Sequence, residues 1–86
     1  MELKLAGWLE TETAPMLEEE IQALDETVTA LVFECGALEY ISSAGLRQIV
    51  AAHKKMDGAL TLRHVSDEIM AIIRMTGLTK KLHIEA

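Results

Sequence analysis

The chain has 86 residues, half of them hydrophobic, enough for one globular domain over 1–86 and too few for two. A domain of this size buries only about 60% of the surface its unfolded chain exposes, so its core must be thin. The net charge of −6 excludes the basic face that nucleic-acid binders present, and with only Trp8, Phe33 and Tyr40 as aromatics, base stacking is excluded as a main activity.

The first element is "ELKLAGWL". Leu3 and Leu5 alternate with Glu2 and Lys4, the period-two pattern of a strand with one wet face. Thr11, Thr13 and Pro15 then mark a helix start, because proline suits the first helical turn. Glu18, Glu19 and Glu20 are assigned to the early turns of that helix, where its dipole favours anions, and Leu17, Ile21 and Leu24 form its apolar stripe.

"TALVFEC", 29–35, is a nearly continuous apolar run and reads as the most buried strand. Its Cys35 is the single cysteine, so no internal disulfide forms, which fits a reducing compartment. A helix follows from about Ser43 to Met56 with the stripe Leu46, Ile49, Val50 and Met56, and Asp57-Gly58 ends it. "ALTLRHV" alternates again. Ser66 is a good N-cap with Asp67 and Glu68 behind it, Ile69, Ile72 and Ile73 make the next stripe, and Gly77 closes that helix. "LHIE", 82–85, alternates once more. No apolar run is long enough to cross a bilayer, and no basic-then-apolar leader opens the sequence, so a cytoplasmic protein is expected.

The order is βαβαβαβ with short connections, which implies parallel pairing and right-handed crossovers. A doubly wound sheet would need strands apolar on both faces, yet three of the four strands alternate. All three helices are therefore expected on one face, in an open two-layer α/β arrangement whose other face is largely polar.

Within this frame, Ser42 and Ser43 stand at the mouth of a helix, followed by Ala44 and Gly45. Their plainest role is N-capping. A phosphate there would gain from the same unpaired N–H groups and from the helix dipole. Gly45 is assigned to close packing, since one glycine is not a Gly-rich loop. His53 lies ten residues further along the helix, about 15 Å by helical rise, out of reach as a base for Ser43, and it is assigned to the edge of the core. No Cys/His spacing suits a metal, so neither catalytic, metal nor cofactor residues are assigned. Arg47 and Lys54 lie on Ser43's side of the helix, either as solvated charges or as a basic stripe beside the site. Met70 and Met75 are assigned to gaps in the core.

"LVFECGALEYISSAGLRQIVAAHKKM" resembles the signature of the STAS domain, the fold of bacterial anti-sigma factor antagonists: an apolar strand ending in an acidic residue, then an aromatic, an aliphatic and D-S-(S/T/A)-G-L running into a helix. "LAGWLETETAPMLEEEI" and "VSDEIMAIIRMTGLTKKLHI" resemble the family's earlier and closing blocks, so the resemblance covers essentially the whole chain. By position it implies that Ser43 is the serine the family phosphorylates. It implies a partner-binding surface of Ser42, Ser43, Ala44, Gly45, Arg47 and Glu10, with Ser42 standing where the antagonists usually have Asp. The implied partner is a protein, a serine kinase that doubles as an anti-sigma factor, with no nucleic acid and no membrane insertion involved. The implied protein is a non-enzymatic switch. The alternative is an unphosphorylated interaction module of a transporter, a lipid-trafficking complex or a stress-sensing assembly. Against the family pattern, the usual short first strand and the long C-terminal helix are expected to be lacking.

Overall fold

The computed structural model describes residues 1–85. Eight elements follow one another: β1 (Glu2–Leu9), α1 (Ala14–Gln22), β2 (Leu31–Ile41), α2 (Ser43–Lys55), β3 (Leu60–Arg63), α3 (Asp67–Met75), a single 3-10 turn (Leu78–Lys80) and β4 (His83–Ile84). The strands form one sheet in the order β1-β2-β3-β4, and every neighbouring pair is parallel. Strands laid down in chain order by right-handed crossovers put each connecting helix on the same side. Burial agrees. Leu5, Leu9, Phe33, Leu60 and Leu62 point into the core with Leu17, Ile21, Leu46, Ile49, Ile69 and Ile73 of the helices. Within each strand the polar residues are the more exposed: Glu2 and Lys4 against Leu3 and Leu5, Thr61 and Arg63 against Leu60 and Leu62, and His83 against Ile84, as a one-sided sheet requires.

The central strand departs from its sequence reading. Instead of a run buried on both faces, Val32 and Glu34 are only half-buried between Leu31, Phe33 and Cys35. The strand also does not stop at Cys35. Lys4 pairs with Glu34 but Ala6 with Ala37, and Gly7 pairs with Leu38 but Trp8 with Tyr40, so β2 carries an extra residue at each of two bulges. Each bulge leaves two adjacent exposed residues, Gly36-Ala37 and Glu39-Tyr40, and this break in alternation hides the strand's true length from a period-two reading.

Three smaller corrections concern the helices. α1 carries no acidic residue in its first turn, and Glu18, Glu19 and Glu20 belong to its middle. In α2 the fully buried fourth position is Ala52, whereas Val50 is half-buried. Met70 packs against the core as expected, but Met75 is 87% exposed. His53 is half-buried, in keeping with its assignment. Asp57 and Gly58 both take left-handed φ angles, 52° and 87°, and end the turn after α2. Lys55 Nζ donates to the carbonyls of Ile21 (2.7 Å) and Gln22 (3.2 Å), so one helix caps the C-terminus of another.

Candidate functional site

The site grows from the point where β2 leaves the sheet. Ile41 is buried as the last residue of β2, and the Ser42 N–H donates to Leu9 O at 2.8 Å, which ties the turn to the end of β1. Ser42 has extended backbone angles, and its hydroxyl accepts from the Gly45 N–H at 3.3 Å, the N-cap bond. Ser43 is the first helical residue. It is exposed and takes no part in the cap. Of the two capping candidates in the sequence, Ser42 therefore does the capping and Ser43 is presented to solvent.

Gly45 explains why the turn sits so low on the sheet. A Cβ there would lie 2.7 Å from Leu9 O and 2.9 Å from both Leu9 Cγ and Ile41 Cγ1, closer than real side chains approach. Two of those atoms belong to buried core side chains and one to the backbone, so the neighbours have little room to give way. The close-packing role assigned from sequence holds.

Ser42, Ser43, Ala44, Gly45 and Arg47 thus share the first turns of α2. Glu10 lies just beyond Leu9, whose carbonyl holds Ser42, and so borders the same turn. Its carboxylate is occupied locally: Oε1 accepts from the Glu12 N–H at 3.1 Å. Thr13 supports that bend, its hydroxyl donating to Trp8 O and accepting from the Glu10 N–H.

Two features escaped the sequence reading. Trp8 and Tyr40, paired across β1 and β2, stack at 5.3 Å between ring centroids with a 49° tilt, and both are exposed on the helix-free face near the same end of the sheet. Trp8 falls in phase with Glu2 and Lys4 along β1, a signal that could have placed it on the wet side, whereas the second bulge hides its partner. The other feature is a groove of about 430 Å³ along α2, with Leu46, Val50 and Ala51 on one wall and Thr76 and Leu78 from beyond α3 on the other. Arg47 and Lys54 border it, with Ser43 at one end. Only tertiary packing brings Leu78 to α2, so no local pattern points to this groove.

Glu34 on the open face is held below the usual carboxylate range, chiefly by its bond to His64 Nδ1 at 2.8 Å. Burial pushes the Cys35 thiol up to about 12, so it stays protonated and unreactive at neutral pH. Among the described residues, no group of three or more His, Cys, Asp or Glu is able to hold a metal ion, and no helix is long and apolar enough to cross a membrane.

Comparison with known proteins bears on the whole chain. The family model described as the STAS domain matches residues 1–86. The anti-sigma-B factor antagonist of Bacillus subtilis (strain 168) is 28% identical over 89 residues, covering all of this chain and 82% of that protein. A sulfate transporter family protein from Wolinella succinogenes superposes with a TM-score of 0.85 at 17% identity, over 98% of this chain and 74% of that one. The anti-sigma factor antagonist SpoIIAA in its unphosphorylated form gives 0.74 at 12% identity, over 96% and 76%. At those identities the two structures speak for the fold alone.

Proposed function

The chain belongs to the STAS domain family, and from that premise we propose that it is an anti-sigma factor antagonist whose docking surface is the N-terminal end of α2, switched by phosphorylation of Ser43. The observation that carries this reading is the division of labour between the two serines. Ser42 is committed to the cap, while Ser43 is exposed at a helix N-terminus with no acidic residue in its first turn. A dianion on Ser43 would meet the positive end of the helix dipole with no like charge from that turn to oppose it. The relative of known role is itself an anti-sigma factor antagonist, and its match spans this whole chain.

In the proposed cycle the unphosphorylated chain binds a serine kinase that also acts as the anti-sigma factor, and this releases the sigma factor. The kinase then transfers the γ-phosphoryl group of ATP. A bond forms between Ser43 Oγ and the γ-phosphorus as the bond to ADP breaks, and the hydroxyl proton passes to a base of the kinase. The added charge makes the surface a poor fit for the kinase, and the complex separates. The chain supplies an acceptor and a surface and performs no catalysis of its own.

A second reading keeps the surface and drops the phosphate. Ser42 stands where the resembled antagonists carry Asp, so no carboxylate flanks Ser43 on that side. On this reading the domain is an interaction module of a transporter or a stress-sensing complex. Incubation with the serine kinases of its genome and ATP, followed by intact mass measurement, separates the two. The switch reading expects one phosphate on the wild type and none on Ser43→Ala. No phosphate, or one that persists in Ser43→Ala, overturns it in favour of the second reading.

A further inference from the structure

The groove beside Ser43 differs in charge from the rest of the protein. The chain carries 14 acidic and 8 basic residues, yet the two ionisable side chains at the groove are Arg47 and Lys54, and no carboxylate lines it. Neither takes part in an ion pair among the described residues; the pairs found are Arg63–Glu2, His64–Glu34 and His83–Glu85. Cations held beside apolar surface without a partner carbonyl or carboxylate are poised for an external anion. Between them the surface is apolar: Leu46, Val50 and Ala51 of α2 face Leu78.

Length narrows the occupant. From Ser43 to Lys54 the groove follows α2 for twelve residues, about 16 Å of helical rise, or three turns. A three-turn apolar trough with a basic border matches an amphipathic helix that lays apolar residues at i, i+3 or i+4 and i+7 along the floor and turns acidic flanks toward the rim. The geometry points to this groove as the docking site for an acidic amphipathic helix of a partner protein. The inference rests on reading the chain as a protein-binding module and adds the chemistry of what it binds. It also gives a physical link to Ser43. Arg47 lies one helical turn beyond Ser43, so a phosphate there draws Arg47 toward itself and places negative charge at the mouth of a groove built for an acidic ligand.

The test uses a synthetic amphipathic peptide of about 15 residues with leucine along one face and glutamate on its flanks, and a lysine-flanked copy with the same apolar face. Amide chemical shifts of the full chain are followed as each peptide is added. The glutamate peptide is expected to shift residues around Leu46, Val50, Ala51 and Leu78, and the lysine peptide to bind the wild type at least about tenfold more weakly. Arg47→Glu combined with Lys54→Glu should reverse the preference, losing the glutamate peptide and gaining the lysine one. Lys4→Glu with Arg63→Glu, the same charge change on the helix-free face, should leave the wild-type preference intact. Circular dichroism melts confirm that each variant is folded, and the gained binding is a readout that misfolding cannot produce. Equal binding of both peptides, shifts that map to the open sheet face, no reversal in the double variant, or glutamate-peptide binding weaker than about 1 mM overturns the inference. Each of those results leaves the phosphorylation experiment on Ser43 standing, and a failure to phosphorylate Ser43 leaves the groove intact.

Discussion

The entrances to α2 and α3 are built on the same device and end up with different capacities. In both, a serine with extended backbone angles accepts from the N–H three residues on at 3.3 Å, Ser42 from Gly45 and Ser66 from Ile69. Behind the cap they part. α3 fills its first turn with Asp67 and Glu68, which complement its dipole, and its third position is a side chain buried in the core. α2 has Ser43 and Ala44 in place of the acids, and glycine in place of the isoleucine. α3 is electrostatically complete at that end, whereas α2 leaves its positive end open and packs directly on the backbone of β1. The cap alone therefore says nothing about function. What marks α2 is the absence of its own anion next to an exposed hydroxyl.

The third helical position should give the largest contrast. Gly45→Val forces side-chain atoms into Leu9 and Ile41 and is expected to cost about 2–3 kcal/mol. Ile69→Val, at the matching place in α3, removes one buried methylene and should cost about 1 kcal/mol. Urea denaturation with unchanged slope measures both, and equal losses would show that Gly45 has room the geometry denies it.

The caps come next. Ser42→Ala and Ser66→Ala should each lose about 1 kcal/mol in the same assay, with the larger loss at Ser42 because α2 has no first-turn carboxylate to remain behind. A larger loss at Ser66 would reverse the comparison.

A helix end capped from a distance provides a reference. Lys55→Met keeps most of the side chain but removes the donor to Ile21 O and Gln22 O, and is expected to cost about 0.5–1 kcal/mol in thermal unfolding. No loss would mean that water serves the end of α1 equally well.

The smallest effect tests the electrostatic half of the argument. Ser43→Asp should raise stability by about 0.5 kcal/mol at low salt, Asp67→Ser should lower it by a similar amount, and both differences should shrink as salt is added. Loss of stability in Ser43→Asp would mean that the end of α2 does not welcome an anion, and the proposed phosphate would lose its support.

How far the sequence revealed these features varies with the range over which each is encoded. The alternation of Leu3 and Leu5 against Glu2 and Lys4 reports a single strand's two faces, so the one-sided sheet was legible. Ser66 with Asp67 and Glu68 is a local signal, and it led to the correct cap. Ser42 and Ser43 were not separable in this way, because either hydroxyl suits a cap and only the path of the chain from Ile41 decides which one reaches the Gly45 N–H. The length of β2 was missed because two bulges break the period on which a strand is recognised. Lys55 resembles any surface lysine until α1 is laid beside α2.

By itself, then, the sequence determined the order of elements, the parallel sheet with helices on one face, the need for glycine at position 45 and the identity of the serine pair, since each follows from hydrophobic period, cap chemistry or family pattern within a short span. Tertiary structure alone decided which serine is free, which atoms crowd Gly45, that Trp8 meets Tyr40, and that Leu78 closes a groove along α2 between Arg47 and Lys54. Those are relations between residues far apart in the chain, produced by the packing of separate elements. The physics that encodes them is the shape of the packed core, which no local window of sequence contains.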